Sequence, residues 1–159
     1  MELLDLVDPR LTAALRETLH HRRASPVEAL PRGVTVVLAG HRAAGKSTLL
    51  PHVAARLGRP AIDLDEVLAR QSGRALREWV ASDQPGFRAA ERAAFLQLPR
   101  GAVVAVGGGF LASHASALHG HLVVEVPVSF DTYVERLRGD ATRPRLRPEL
   151  TPTEELRVV

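Results

Sequence analysis

Residues 40–47, with the sequence GHRAAGKS, decide how the rest of the chain is interpreted. They fit the pattern G-x-x-x-x-G-K-[ST] of a phosphate-binding loop, and Lys46 within them is the only lysine in the chain. An apolar, β-branched run at residues 34–38 precedes the loop, and a helical pattern over residues 46–57, closed by Gly58, follows it. A loop between a buried strand and a helix is the setting in which such a motif holds phosphate.

The residue types of this loop indicate a nucleotide and a metal ion. Backbone N–H groups and the helix N-terminus attract negative charge, Lys46 is expected to reach the β- and γ-phosphates, and Ser47 is expected to ligate Mg²⁺. The sequence therefore predicts that ATP and Mg²⁺ bind here. The expected nucleotide-binding positions are Gly40, Ala43, Ala44, Gly45, Lys46, Ser47 and Thr48.

Composition excludes several other classes of protein. The 159 residues suffice for one α/β domain, and no apolar run is long enough to span a bilayer, so we expect a cytoplasmic protein. The chain has no cysteine, which removes disulfides, thiolate zinc sites and cysteine nucleophiles. Nucleic-acid binding is not expected, because the net charge is only +3 and aromatic residues make up 4% of the chain.

Apolar runs and helical patterns alternate after the loop. Residues 61–62 form a short second strand, and residues 102–106 and 122–126 read as two further buried strands. Helical segments are predicted at residues 66–70, 76–81, 87–98 and 130–137. This alternation predicts an α/β fold with a parallel sheet and right-handed crossovers.

The two ends of the chain are distinct from this core. Residues 1–32 are predicted to be a helical extension and linker, because Leu11, Leu15 and Leu19 recur at helical spacing, and residues 33–159 are the predicted domain. Thr151 and Glu154 form a capping-box pattern that announces a helix only a few residues before the chain stops. We therefore expect a domain that is truncated relative to a longer natural protein.

Two aspartates follow the second strand directly. Asp63 and Asp65 lie on one side of the chain at the carboxyl edge of the sheet, where α/β proteins bind ligands. One carboxylate can orient the waters of Mg²⁺ while the other accepts a hydroxyl proton during phosphoryl transfer. The alternative is that one of them only caps the next helix.

Three further segments are candidates for the acceptor and the lid. The turn Gly107, Gly108 and Gly109 after the third strand lets a substrate approach the backbone. Arg88 and Glu91 share a helical face, so Glu91 can steady Arg88 for a substrate carboxylate, unless the two form only a surface ion pair. Residues 136–144 form a basic, Gly-containing loop that reads as either a closing lid or a solvated connection.

In order and spacing, these elements resemble the shikimate kinase family over roughly residues 33–155. The shared features are the phosphate loop, the Asp-x-Asp, a Phe-Arg-x-x-Glu helix, the Gly-Gly-Gly turn and an Arg-Pro lid. The resemblance implies a three-layer P-loop NTPase fold with a central parallel sheet in the order 2-3-1-4-5, whose fifth strand is absent from this chain. It also implies transfer of phosphate from ATP to shikimate by a monomeric enzyme of aromatic amino-acid synthesis.

The resemblance also implies roles for single residues on the nucleotide side. Ser47 would bind Mg²⁺ directly, with Asp63 behind its waters. Arg143 would be the lid arginine that reaches the ATP phosphates and, with Lys46, serves catalysis. Arg136 would lie near the adenine.

On the acceptor side, the resemblance implies that Asp65 binds the acceptor hydroxyls and acts as the catalytic base. Arg88 would hold the substrate carboxylate. The turn Gly107–Gly109 would contact substrate, with a hydrogen bond from Gly108.

The chain departs from the family pattern at four places. Ala43 replaces a glycine of the loop, and the segment between Gly73 and Phe87 is one residue short. Residues 143–146 read RPRL rather than the usual Arg-Pro-Leu-Leu. The chain also ends before the family's second substrate-binding arginine and its last adenine contact.

Two other functions fit parts of the pattern. A gluconate-type kinase is disfavoured, because that family follows its aspartate with histidine and here Glu66 follows Asp65. Some transcriptional regulators carry a shikimate-kinase-like domain that senses a ligand behind a DNA-binding region. Residues 1–32 contain no recognisable helix-turn-helix, so this alternative needs a longer N-terminus.

Overall fold

A computed structural model of the chain describes residues 30–138, together with Thr151 and Glu154. The helix expected around Leu11–Leu19 and the expected lid residue Arg143 lie outside the described residues. In the described part of the chain, no helix is both long and apolar enough to cross a membrane.

The described residues contribute four parallel strands to the central sheet: β1 (Val36–Ala39), β2 (Ala61–Asp63), β3 (Val103–Ala105) and β4 (Leu122–Glu125). Their order is β2-β3-β1-β4, and β1 pairs with both β3 and β4. The prediction of an α/β fold with a parallel sheet is confirmed, and the observed order matches the first four strands of the family order.

Within residues 30–138, six helices surround the sheet: α1 (Lys46–Leu57), α2 (Leu64–Ser72), α3 (Leu76–Ser82), α4 (Gln84–Leu96), α5 (Phe110–His114) and α6 (Phe130–Arg138). A 3₁₀ turn, Ala115–Leu118, follows α5. Helix α1 has the predicted bounds, including its C-terminal cap at Gly58. The sequence did not predict α5, because five residues are too few to show a helical period.

Alternating side chains of the central strands build two cores, one on each face of the sheet. Val37 packs with residues of α2, α4 and α5, whereas Val36 and Leu38 pack with Leu50 and Ala54 of α1. Both faces of β1 are covered, which explains its uninterrupted apolar sequence. The result is a three-layer arrangement of helices, sheet and helix.

The prediction that the fourth strand is buried is wrong. Leu122, Val123 and Val124 are 43%, 38% and 39% exposed. Strand β4 lies at an edge of the sheet, so only β1 pairs with it among the described strands. The apolar run therefore reflects strand propensity rather than complete burial.

Side-chain hydrogen bonds shape both ends of the described chain. Arg59 donates to the backbone carbonyls of Leu30, Pro31 and Val34, which fixes the end of the expected linker against the domain. The Glu154 carboxylate accepts from the Thr151 backbone N–H at 2.8 Å, and the Glu154 N–H donates to the Thr151 hydroxyl at 3.3 Å. The predicted capping box is confirmed.

Candidate active site

A cleft of about 340 Å³ lies at the carboxyl ends of the strands. Its walls come from the phosphate loop, the start of α1, the end of β2, helices α3 and α4, and the turn after β3. The predicted site residues that line it are Ala43, Gly45, Lys46, Ser47, Thr48, Asp63, Asp65, Arg88, Gly107, Gly108 and Gly109. Gly40, Ala44 and Arg136 are not among the lining residues, and Arg143 lies outside the described residues.

The phosphate loop folds tightly between β1 and α1. Gly45 caps α1 with φ 93°, and a Cβ on Gly40 would lie 2.6 Å from the carbonyl oxygen of Val126. The Lys46 ammonium donates to the carbonyls of Gly40 at 2.8 Å and His41 at 2.7 Å. The lysine is therefore folded over its own loop, with its positive charge at the place where the motif predicts phosphate.

Ala43 has a left-handed backbone, with φ 62°, and is the only non-glycine residue of the described chain with positive φ. A Cβ in this conformation approaches the following carbonyl, at a cost of roughly 1–2 kcal/mol. The Ala43 carbonyl accepts a hydrogen bond from Arg136 Nη1 of α6 at 2.6 Å. Arg136 therefore supports the loop where its backbone is strained, and its expected place near the adenine stays a prediction.

Asp63 links the phosphate loop to the end of β2. Its Oδ2 accepts from the Ser47 hydroxyl at 2.6 Å, and its Oδ1 accepts from the Asp65 backbone N–H at 3.0 Å. Asp63 is thus the N-cap of α2 and at the same time the partner of Ser47. The two alternatives raised by the sequence are compatible, because the two carboxylate oxygens serve different neighbours.

Asp65 lies in the first turn of α2, with its carboxylate in the cleft. The residue keeps exposed surface at the opening of the cleft, but protein surrounds the carboxylate on most sides and removes much of its hydration. This desolvation, followed by the negative charges of Asp63 and Glu91, raises its pKa to about 6, against the opposing effect of Lys46 and Arg88. A carboxylate that titrates near neutrality is suited to accept a proton.

The three glycines of the turn after β3 each have a close neighbour. A Cβ on Gly107 would lie 3.1 Å from Glu91 Oε1, and one on Gly108 would lie 2.9 Å from the backbone nitrogen of Arg42. A Cβ on Gly109 would lie 2.5 Å from Arg88 Nη2. The absence of side chains here lets the turn pack against the phosphate loop and α4 at once.

Arg88 and Glu91 form the ion pair that their spacing suggests, at 2.7 Å between Nη1 and Oε2. Glu91 is fully buried, so this pair is not a surface contact. The same Oε2 lies 3.1 Å from His114 Nε2 at the end of α5. His114 was not found from the sequence, because it lies 23 residues from Glu91 on a helix that was not predicted.

Arg42, Tyr133 and Arg77 were also missed. Arg42 of the phosphate loop lines the cleft and donates from Nε to the hydroxyl of Tyr133, a residue of α6 that is 1% exposed. Arg77 lines the cleft beside the apolar side chains of Leu76 and Val80. Only the lone tyrosine offered a signal, since a buried Tyr usually has a hydrogen-bond partner.

The arrangement agrees with comparison to known proteins. A family model described as shikimate kinase matches residues 42–158. The chain belongs to the shikimate kinase family. A shikimate kinase of Rhodopirellula baltica is 37% identical over 120 residues, covering 72% of this chain and 64% of that protein. One of Salinibacter ruber is 37% identical over 129 residues, covering 77% and 63%.

Solved shikimate kinases share the fold. The Acinetobacter baumannii enzyme, determined in complex with shikimate, aligns with TM-score 0.70 and 29% identity over 79% of this chain and 73% of that chain. The Aquifex aeolicus enzyme aligns with TM-score 0.61 and 24% identity over 79% and 80%. This chain spans just under two thirds of the length of the Rhodopirellula and Salinibacter shikimate kinases.

Proposed function

We propose that the protein transfers the γ-phosphoryl group of ATP to a hydroxyl of shikimate, forming shikimate 3-phosphate and ADP. The observation that carries the proposal is the sharing of one cleft by Lys46, Asp65 and Arg88. These residues are suited respectively to a phosphate, a hydroxyl proton and a carboxylate. Membership of the shikimate kinase family and the likeness to an enzyme determined with shikimate support this choice of acceptor.

The nucleotide side rests on the loop and on Asp63. The Ser47 hydroxyl and the Asp63 carboxylate are 2.6 Å apart, and oxygen atoms of these types are the ligands that Mg²⁺ prefers. Ser47 would hold the ion directly and Asp63 would hold it through water. When bound, Mg²⁺ neutralises charge on the phosphates. The Lys46 ammonium would then donate hydrogen bonds to phosphate oxygens in place of the carbonyls of Gly40 and His41.

The acceptor side rests on Asp65 and Arg88. The acceptor oxygen attacks the γ-phosphorus, the bond from that phosphorus to the β–γ bridging oxygen breaks, and ADP leaves. The hydroxyl proton passes to the Asp65 carboxylate. Arg88 would pair with the substrate carboxylate through its planar fork, and Phe87 with Val80 provides an apolar wall for the ring.

The remaining roles are parts of the same proposal. Arg143 would neutralise the transferring phosphoryl group from the lid, and Arg136 would turn from the Ala43 carbonyl toward the adenine. We also infer a monomeric, cytoplasmic enzyme. Light scattering of the purified protein would test the monomer.

ADP release with shikimate, with gluconate and without acceptor tests the function. We expect shikimate-dependent turnover that falls by at least roughly 100-fold in Asp65→Asn, since positioned general bases contribute about 10²–10⁴-fold. Asp83→Asn is the matched control, because Asp83 caps α4 through Gly86 and does not line the cleft. ATP binding without acceptor-dependent turnover would reject the kinase in favour of a ligand sensor, and preference for gluconate would reject shikimate.

A further inference from the structure

We propose that His114 is a positioning residue, which holds Arg88 in its substrate-binding orientation by fixing Glu91. His114 is 6% exposed, ends α5 and does not line the cleft. It therefore acts through another residue rather than on the substrate. The inference rests on the proposed function in one respect, that Arg88 binds the carboxylate of the acceptor.

One carboxylate oxygen joins the three side chains. Glu91 Oε2 accepts from Arg88 Nη1 at 2.7 Å and lies 3.1 Å from His114 Nε2. Because Glu91 pairs with the Arg88 guanidinium, we assign the proton of this contact to Nε2 of the imidazole, which then donates to Oε2. The result is a chain of hydrogen bonds that runs from the cleft, through Glu91, into the core.

Because the Glu91 carboxylate is buried, it needs a second hydrogen-bond donor besides Arg88. Glu91 has no exposed surface, whereas the Arg88 side chain is 21% exposed and partly hydrated. Glu91 Oε1 is buried and has no hydrogen-bond partner among the described residues. Without His114, one partly hydrated guanidinium would have to compensate a buried charge, and the carboxylate could rotate to improve its contacts. Arg88 would then lose its fixed orientation.

The surroundings hold the imidazole in place. The Phe110 ring packs edge-on against it, with 4.8 Å between ring centroids, one helical turn earlier on α5. Helix α5 follows directly after Gly109, whose missing side chain leaves room for Arg88 Nη2. His114 therefore also links the glycine turn to α4. The two segments on either side of Arg88 are held by the same residue.

Two substitutions separate the hydrogen bond from the packing. His114→Phe keeps a ring but removes the donor, whereas His114→Gln supplies an amide N–H near the position of Nε2. For His114→Phe we expect the KM for shikimate to rise about tenfold, the loss typical of one hydrogen bond to a charged group. We expect kcat and the KM for ATP to change less than about twofold, and His114→Gln to restore most of the affinity, since the amide remakes that bond.

His121→Phe is the matched control. His121 packs edge-on against Phe95, with ring centroids 5.5 Å apart, on the same side of the sheet. We expect wild-type KM values from it. If His114→Phe does not fold, His114→Asn replaces it, because the shorter amide does not reach Glu91 and the same rise in KM is expected.

A second measurement needs no substrate. In ¹⁵N-arginine NMR of the free protein, the Arg88 guanidinium, assigned by its loss in Arg88→Lys, should give a restricted Nη–H signal that becomes averaged in His114→Phe. An unchanged Arg88 signal, or a fall in kcat as large as the rise in KM, would overturn the inference. If wild type does not phosphorylate shikimate but the Arg88 signal depends on His114, the proposed function fails and the positioning role stands.

Discussion

At the scale of single residues, the cleft changes the pKa of Asp65 in two ways, by desolvation and by nearby negative charge. The cleft that desolvates its carboxylate, and the negative charges of Asp63 and Glu91, raise its pKa from 3.8 to about 6. A base must be ionised to accept a proton, so kcat/KM should rise as pH increases through about 6 and then level off. A pH–rate profile measured from about pH 5 to pH 8 checks this limb. A limb near 4 would show that the acceptor site does not perturb the base.

The same rise in pKa predicts that the ionised form of Asp65 lowers the stability of the folded protein. Because the folded-state pKa lies above the unfolded value, the contribution of protonated Asp65 is complete below about 3.8 and is lost as pH rises through about 6. Asp65→Asn avoids this loss. We expect its Tm to equal that of wild type near pH 4 and to exceed it by a few degrees near pH 7.5. A variant with a lower Tm at both pH values would contradict the assignment.

Ala43 has an unfavourable backbone conformation. Its φ of 62° suits glycine, which the family usually has at this position. Ala43→Gly removes the strained Cβ, but it also removes a buried methyl group and adds freedom to the unfolded chain, so we expect the unfolding free energy to change by less than about 1 kcal/mol. Denaturant unfolding measures it.

Ala44→Gly is the control for this change. Ala44 does not have positive φ and lies in the core, so glycine there removes a buried methyl group and adds unfolded-state freedom without relieving strain, and it should cost about 1–2 kcal/mol. Equal effects of the two substitutions would show that the loop is not strained at Ala43.

At the scale of elements, the sequence predicted those parts whose evidence is local. Helix α1 is bounded by a phosphate loop and a C-terminal glycine, and the structure keeps the predicted limits. Asp63 ends β2, Asp65 lies two residues further on, and the glycine turn begins two residues after β3, so a parallel sheet brings them to one edge. Helix α5 escaped prediction because it is short and follows three glycines.

Contacts between distant segments could not be predicted in this way. The hydrogen bond from Arg42 to Tyr133 joins residues 91 positions apart, and the one between His114 and Glu91 joins residues 23 apart. Neither separation corresponds to a helix or strand period, so the sequence pattern does not indicate either contact. The phosphate-binding loop could therefore be predicted from the sequence. The hydrogen bonds that hold Arg88 and the loop in place could be found only in the tertiary structure.

At the scale of the whole molecule, burial is greatest in the middle of the sheet, and we expect stability to follow it. Strand β1 pairs on both sides and its four residues are at most 2% exposed, whereas β4 pairs only with β1 among the described strands. Val37 and Val123 are partners in the β1–β4 register, with exposures of 0% and 38%. The same substitution at these two positions therefore compares centre and edge directly.

We expect Val37→Ala to lower the unfolding free energy by about 2–3 kcal/mol, because it removes two buried methyl groups and leaves a cavity between β1 and the helices. Val123→Ala should cost less than about 1 kcal/mol, since its side chain already contacts water. Urea unfolding of both variants, with equal m-values, measures the difference. Equal losses would contradict the prediction, because they would show that the side chain of Val123 contributes as much to stability as that of Val37 despite its exposure.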